Sequence, residues 1–177
     1  VLRHELAPEG EPLLMHVSNF RKVKRVVVLV EMMAKLLEKG GTAKLIMVGD
    51  GPERLKAESL AKELGVLRHI RFLGKQEQVE QLLSMSDVFL LPSGSETFGL
   101  AALEAMACGV PVVSTNIGGL PEVNVHGETG YLVELDDAEA MADYNLKILR
   151  DDDLKQSLST NARARAELFE QSKVVQV

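Results

Sequence analysis

Six short apolar runs recur along the chain, at Leu13–Val17, Lys44–Val48, His69–Leu73, Asp87–Leu91, Pro111–Thr115 and Gly130–Val133. Each is nearly continuous in hydrophobicity, with no alternation of apolar and polar positions, a pattern that predicts strands buried on both faces. Between them lie segments of helical length at Val26–Glu38, Glu53–Leu64, Glu77–Met85 and Phe98–Cys108. After the last strand the pattern is helical again, over Ala138–Leu149 and from Leu154 to about Phe169. Gly40-Gly41, Gly65 and Gly109 stop helices, as residues tolerant of a left-handed turn do. Asp136 and Asp151 or Asp152 are the expected N-caps. Residues 1–11 (VLRHELAPEGE) are polar, carry Pro8 and Gly10, and read as a linker, so that the folded domain spans 12–177. Strictly alternating strand and helix predicts an α/β fold: a doubly wound parallel sheet of about six strands, with its site at the carboxyl ends of the strands.

The residues with chemical potential follow strands. Ser18-Asn19-Phe20-Arg21, Gly49-Asp50-Gly51, Gly74-Lys75-Gln76, Ser93-Gly94-Ser95-Glu96 and Thr115-Asn116-Ile117-Gly118-Gly119 are all post-strand loops, and such loops share one crevice. The plainer reading is that glycines merely terminate strands, and for Gly49 and Gly51 alone it is the stronger one. The stretch from Ser93 to Gly130 organises the rest. It places Glu96 in a loop and Glu104 on the following helix, with seven residues between them. The helix start near Phe98 and Gly99 offers unpaired N–H groups to an anion. Glu104 stands among Leu100, Ala101, Ala102, Leu103, Ala105 and Met106, where an unpaired buried carboxylate would be costly, and vicinal ribose hydroxyls would supply two donors. The alternative is two solvated carboxylates. Arg21 and Lys24 could clamp a diphosphate, Arg through its planar fork and Lys as a point charge. The alternative there is a solvated basic turn, and Lys22 and Arg25 read as surface charges.

Charge and composition narrow the classes. A net charge of -6 over 177 residues speaks against nonspecific nucleic-acid binding, which needs a Lys/Arg excess. One cysteine, Cys108, permits no intrachain disulfide and fits a reducing cytoplasm. No apolar run approaches the roughly 18–20 residues of a transmembrane helix, and no signal peptide is visible. Neither GxxxxGKS/T nor a GxGxxG after the first strand occurs, which weakens an NTPase or a nicotinamide oxidoreductase. Four scattered histidines offer no zinc spacing, so no metal or cofactor is expected. Cys108 reads as a small buried residue at a helix end, His126 as a loop residue, and Met32, Met33, Met106 and Met141 as core filler.

The stretch Glu96-Thr-Phe-Gly-Leu-Ala-Ala-Leu-Glu104, followed by Ala-Met-Ala-Cys-Gly-Val-Pro-Val-Val, resembles the E-x7-E motif of retaining GT-B glycosyltransferases of glycosyltransferase family 4. Val48-Gly-Asp-Gly-Pro52, Phe72-Leu-Gly74, Asn116-Ile-Gly-Gly-Leu-Pro-Glu122 and Gly127-Glu-Thr-Gly-Tyr-Leu-Val133 extend the likeness over nearly the whole chain. His16-Val-Ser-Asn-Phe-Arg-Lys-Val-Lys-Arg25 and Phe72-Leu-Gly-Lys-Gln76 are most similar to the branch that transfers N-acetylglucosamine from UDP to L-malate in bacillithiol biosynthesis. Many relatives carry Gly-Arg where this chain reads Ser18-Asn19.

The resemblance implies one Rossmann-like half of a GT-B fold, the donor-binding one, with residues 1–11 leading from an absent N-terminal domain and the last helix cut at Val177. It implies that Arg21 and Lys24 clamp the diphosphate, Glu104 holds the ribose, Glu96 lies near the donor sugar, and Phe98, Gly99 and Leu100 lend backbone N–H groups. Lys75 and Gln76 match the uracil contact, and Ser18 and Gly49 complete the donor-binding set. The implied partners are a UDP-sugar donor and a small acceptor bound through the absent domain; a homo-oligomer is left open. The alternatives are a GT-B nucleotide-sugar epimerase, a relative with another donor and acceptor, or a nucleotide-binding module without turnover. Binding without transfer is the expectation for this chain alone.

Overall fold

The computed structural model describes residues 3–175, with side chains as far as Gln171; the expected truncation at Val177 lies outside the described residues. Six strands, β1 (Leu13–Val17), β2 (Lys44–Val48), β3 (Ile70–Gly74), β4 (Val88–Leu91), β5 (Val112–Thr115) and β6 (Gly130–Val133), form one sheet in the order β3-β2-β1-β4-β5-β6. Every pairing is parallel. The doubly wound sheet expected from the continuous apolar runs is the one found. In each of β2 to β5 apart from Lys44, and in β1 up to His16, a side chain is buried whichever face it points to, except along the outer part of β3.

Eight helices cover the sheet among the described residues: α1 (Arg3–Leu6), α2 (Val27–Glu38), α3 (Arg54–Glu63), α4 (Val79–Met85), α5 (Leu100–Ala107), α6 (Leu120–Val123), α7 (Ala138–Leu149) and α8 (Asp152–Val175). Successive strand residues alternate between two cores. Leu14, Leu45, Met47, Val88, Leu90 and Val113 join α2, α3 and α7 on one face, Met32, Met33 and Met141 among them. Leu13, Met15, Ile46, Val48, Phe89 and Leu91 join α1, α4, α5, α6 and α8 on the other, with Met106.

Several elements depart from expectation. The segment read as a polar linker carries α1, which buries Leu6 and Ala7 and ties Arg3 to Asp87; the apolar contacts are too few to leave a periodic signal. The cap of α7 is Asp137, whose carboxylate accepts from Ala140 N–H, whereas Asp136 sits in the left-handed region at φ 64. Asp151 caps α8, accepting from Leu154 N–H at 3.0 Å. The helix expected from Phe98 begins at Leu100, because Gly99 at φ 65 cannot continue a right-handed turn backwards.

Asp87, just before β4, anchors the edge of the sheet opposite the strands' carboxyl ends. It accepts from Leu13 N–H and the Arg3 guanidinium, both at 2.8 Å, and from the Lys155 ammonium of α8. Burial pushes its pKa up, yet the Arg3, Lys155 and Leu13 hydrogen bonds outweigh it and hold the carboxyl below its ordinary 3.8. A depressed carboxyl pKa stabilises the fold above that range and ceases to do so as pH falls through the folded value. Asp87→Ala is therefore expected to cost about 1.5–3 kcal/mol at neutral pH, the range for hydrogen bonds to a charged group, and to remove the corresponding acid-side loss below about pH 4. Urea unfolding at pH 7 and pH 3 checks this; an unchanged midpoint at pH 7 would show that the anchor contributes nothing.

Candidate functional site

From β1 the chain winds outward through β2 and β3, and from β4 in the opposite direction through β5 and β6. The loops leaving β1 and β4 diverge at this reversal and open a crevice at the carboxyl ends of the two neighbouring strands. The β1 loop bends at Phe20 (φ 49), makes a 3-10 turn over Lys22–Lys24, and leaves it through Arg25 at φ 55. It is tied to other post-strand loops at three points. Gly94 N–H donates to Val23 C=O at 2.8 Å. The Arg25 guanidinium donates to both carboxylate oxygens of Asp136 at 2.8 and 2.7 Å. Arg25, expected as a surface charge, is thus a strut between the first and last post-strand loops. Lys24 Nζ lies 3.3 Å from Glu96 Oε2, and the two side chains are 23% and 13% exposed. The sheltered pair brings together the expected phosphate cation and the expected sugar carboxylate.

Glycine sets how closely the loops approach. A Cβ on Gly49 would stand 1.7 Å from Ser18 O, and one on Gly51 1.8 Å from Asn19 O. On the far side, a Cβ on Gly118 would stand 1.8 Å from Glu96 O, while Gly119 N–H donates to that same carbonyl at 2.9 Å. The Gly49 and Gly51 pair therefore does more than end a strand: it lets one loop backbone lie on another. Gly49 N–H also donates to Gly74 C=O at 2.8 Å, which ties in the loop of Lys75 and Gln76. Gln76 Nε2 donates to Leu73 C=O, and Lys75 is exposed.

Gly99 precedes helix α5 and offers no side-chain cap, so the first N–H groups of the helix and the positive end of its dipole face the loop region. Leu100, Glu104 and Ala107 form its exposed stripe, at the i, i+4, i+7 spacing of one helix face. Glu104 is therefore open to water and not buried among apolar neighbours. Its carboxylate keeps its water and needs no buried partner. Phe98, at 71% exposure, and Leu100, at 57%, join Glu104, Glu122, Val123 and Phe169 around a groove of about 910 Å³. Cys108 lines the same groove and is half-buried, where a buried position was expected. Arg21 is exposed at the turn of the basic loop. His126 is an exposed loop residue whose Nδ1 accepts from Leu132 N–H and whose ring packs edge-on to Tyr131 and Tyr144.

One residue of the site was missed. His16 is wholly buried beneath the β1 loop and hydrogen-bonded on both ring nitrogens. The signal was a lone polar side chain inside an otherwise unbroken apolar run, two residues before Ser18. Among the described residues no cluster of three His, Cys, Asp or Glu side chains could hold a metal ion.

Residues 2–165 match the family model described as glycosyl transferases group 1. The chain is 48% identical over 168 residues to the N-acetyl-alpha-D-glucosaminyl L-malate synthase of Bacillus anthracis, covering 94% of this chain and 44% of that one. It is 37% identical over 169 residues to a D-inositol 3-phosphate glycosyltransferase of Corynebacterium urealyticum, covering 90% and 40%. Among solved structures, HepE of Anabaena in complex with UDP and glucose superposes with a TM-score of 0.87 at 26% identity, covering 94% and 46%. Sucrose-phosphate synthase of Thermosynechococcus elongatus superposes at 0.83 with 30% identity, covering 98% and 47%. The chain thus spans less than half the length of each of these proteins.

Gly118 and Gly127 both adopt positive φ, at +59 and +80, but a Cβ on Gly127 would meet nothing within 4 Å. Gly127→Ala should cost about 1 kcal/mol for the left-handed backbone alone. Gly118→Ala should cost about 2–4 kcal/mol, because the new methyl displaces the Glu96 carbonyl as well. Denaturant unfolding of both variants checks this; equal losses would mean the Glu96 loop is free to move away from Gly118.

Proposed function

We propose that this chain, which belongs to the glycosyl transferases group 1 family, is the donor-binding half of a retaining glycosyltransferase that moves a sugar from UDP to a small acceptor. Its parallel sheet is one half of a GT-B fold. The observation that carries the reading is the Lys24–Glu96 pair, set beside the uncapped start of α5 at the reversal of strand order. A cation for phosphate, a carboxylate for hydroxyls and a run of backbone donors are the groups that a nucleoside diphosphate sugar requires.

In this reading Arg21 and Lys24 take the diphosphate and Glu104 accepts from the ribose hydroxyls. Glu96 accepts from the donor sugar, and the N–H groups of Phe98, Gly99 and Leu100 approach sugar and phosphate. The loop of Lys75 and Gln76 meets the uracil, with Ser18 and Gly49 shaping the floor between. As the glycosidic bond breaks, negative charge grows on the departing diphosphate, and the fixed cations and helix N–H groups stabilise it in place. Glu96 is not assigned as a nucleophile; attack on the donor face left by the diphosphate gives retention without one. Identity of 48% to the Bacillus anthracis malate synthase supports UDP-N-acetylglucosamine as donor and L-malate as acceptor, hence a step in bacillithiol biosynthesis. The cytoplasm is the matching compartment. Among the described residues no helix is long and apolar enough to cross a membrane.

Titration calorimetry of the chain with UDP, UDP-N-acetylglucosamine and uridine tests these roles. Glu104→Gln should weaken UDP by about 1.5–3 kcal/mol, as expected when a charged acceptor is lost. Arg21→Ala and Lys24→Ala should weaken UDP and its sugar while leaving uridine unchanged. UDP affinity unaffected by Glu104→Gln would remove the ribose assignment, and equal losses for uridine and UDP in the basic-loop variants would remove the clamp.

A further inference from the structure

His16 interrupts the apolar run of β1, and its ring stacks near those of Phe20 and Phe89, with centroids 6.1 and 6.4 Å away and planes inclined by 25° and 19°. Nδ1 is 2.8 Å from Leu90 O and Nε2 is 2.7 Å from Ser18 Oγ. A carbonyl oxygen can only accept, so Nδ1 carries a proton. Burial drives the ring's pKa down to about 4, against the Leu90 hydrogen bond and with the nearby charge of Lys24 acting in the same direction as burial. The ring is therefore neutral at pH 7, and Nε2 has a lone pair to accept the Ser18 hydroxyl proton. Ser18 Oγ in turn accepts from Phe20 N–H at 3.2 Å. The direction of the whole chain follows: Phe20 N–H to Ser18 O–H to His16 Nε2, and His16 Nδ1–H to Leu90 C=O.

Its first donor, Phe20, is under strain. Phe20 is fully buried and left-handed at φ 49, a conformation that bulky residues rarely adopt and that persists when its surroundings enforce it. The hydrogen bond from Phe20 N–H to Ser18, the Phe20–His16 stack and Glu53 N–H donating to Phe20 C=O at 3.0 Å supply that enforcement. Arg21 follows immediately, and Lys24 stands three residues further on. The Ser18 hydroxyl thus has its proton committed inward to His16, and its backbone N–H donates to Val48 C=O at 3.1 Å.

We propose that His16 is a positioning residue: through Ser18 it holds the Phe20 bend and thereby sets where Arg21 and Lys24 stand in the crevice. The proposal rests on the reading of those two residues as a diphosphate clamp.

Nitrogen-15 NMR of the wild-type imidazoles gives the tautomer directly. The Nδ1–H form with an accepting Nε2 is expected for His16, and the Nε2–H form would overturn the proposal. Calorimetry then compares UDP with uridine. His16→Asn keeps a donor near Leu90 and loses the acceptor for Ser18. It should weaken UDP about 5- to 20-fold, the equivalent of one or two hydrogen bonds, and leave uridine unchanged. Ser18→Ala should match it, the double variant should be no worse than either, and His16→Gln, which keeps an acceptor near Ser18, should recover most of the loss. Wild-type UDP affinity in His16→Asn, or parallel losses of UDP and uridine, would reduce His16 to a fold-supporting residue. Arg21→Ala serves as the reference. If it loses UDP and His16→Asn does not, positioning falls alone; if it leaves UDP unchanged, the clamp falls and the proposal with it. Should the His16 variants fail to fold, the wild-type tautomer and Ser18→Ala decide.

Discussion

The site depends on backbone lying directly on backbone at the carboxyl edge of the sheet. Ser18 O against Gly49, Asn19 O against Gly51, Glu96 O against Gly118 and Thr97 O against Gly119 are all contacts that a single methyl group would forbid. They press four post-strand loops together in two pairs, β1 with β2 and β4 with β5. A parallel sheet that reverses its winding leaves the loops after β1 and β4 diverging, and each pair walls one side of that gap. Across it Gly94 N–H donates to Val23 C=O at 2.8 Å, and Lys24 and Glu96, 72 positions apart, meet at 3.3 Å.

The opposite edge is held by different means. There Asp87 collects Leu13 N–H, Arg3 and Lys155, fastening α1 and α8 to the starts of β1 and β4. The crevice edge combines close-packed backbone with the Lys24–Glu96 and Arg25–Asp136 pairs. Backbone N–H groups and a helix start suit an anion site there, since they carry no mobile charge of their own and need little reordering to receive phosphate. The Arg25–Asp136 strut ties the β1 loop to the loop before α7 through two hydrogen bonds.

The sheet and its order of elements were legible in the sequence because strands buried on both faces read as unbroken apolar runs, and Leu13–Val17 and Lys44–Val48 match to the residue. The gathering of the post-strand loops at one edge was legible too, since every strand of a parallel sheet ends on the same side. What stayed hidden depends on distant partners or on a single dihedral. α1 owes its place to Arg3 meeting Asp87, 84 positions away. The start of α5 turns on the φ of Gly99. Glu104 looked buried from its apolar neighbours, yet it occupies the outward stripe that Leu100 and Ala107 also share. Arg25 gave no sign of Asp136, 111 positions on. His16 was visible as a polar interruption in a strand, but its bond to Leu90 belongs to the β1–β4 neighbourhood and not to any local pattern.

Amide NMR of the nitrogen-15-labelled chain titrated with UDP locates the nucleotide site residue by residue. UDP is expected to move the resonances of Ser18 to Lys24, Gly49, Lys75 and Gln76, Glu96 to Glu104, and Gly118 and Gly119, leaving those around Asp87 and Lys155 in place. Shifts gathered instead at the opposite edge, around Glu9, Glu11, Lys44 and His69, or none at millimolar UDP, would contradict it.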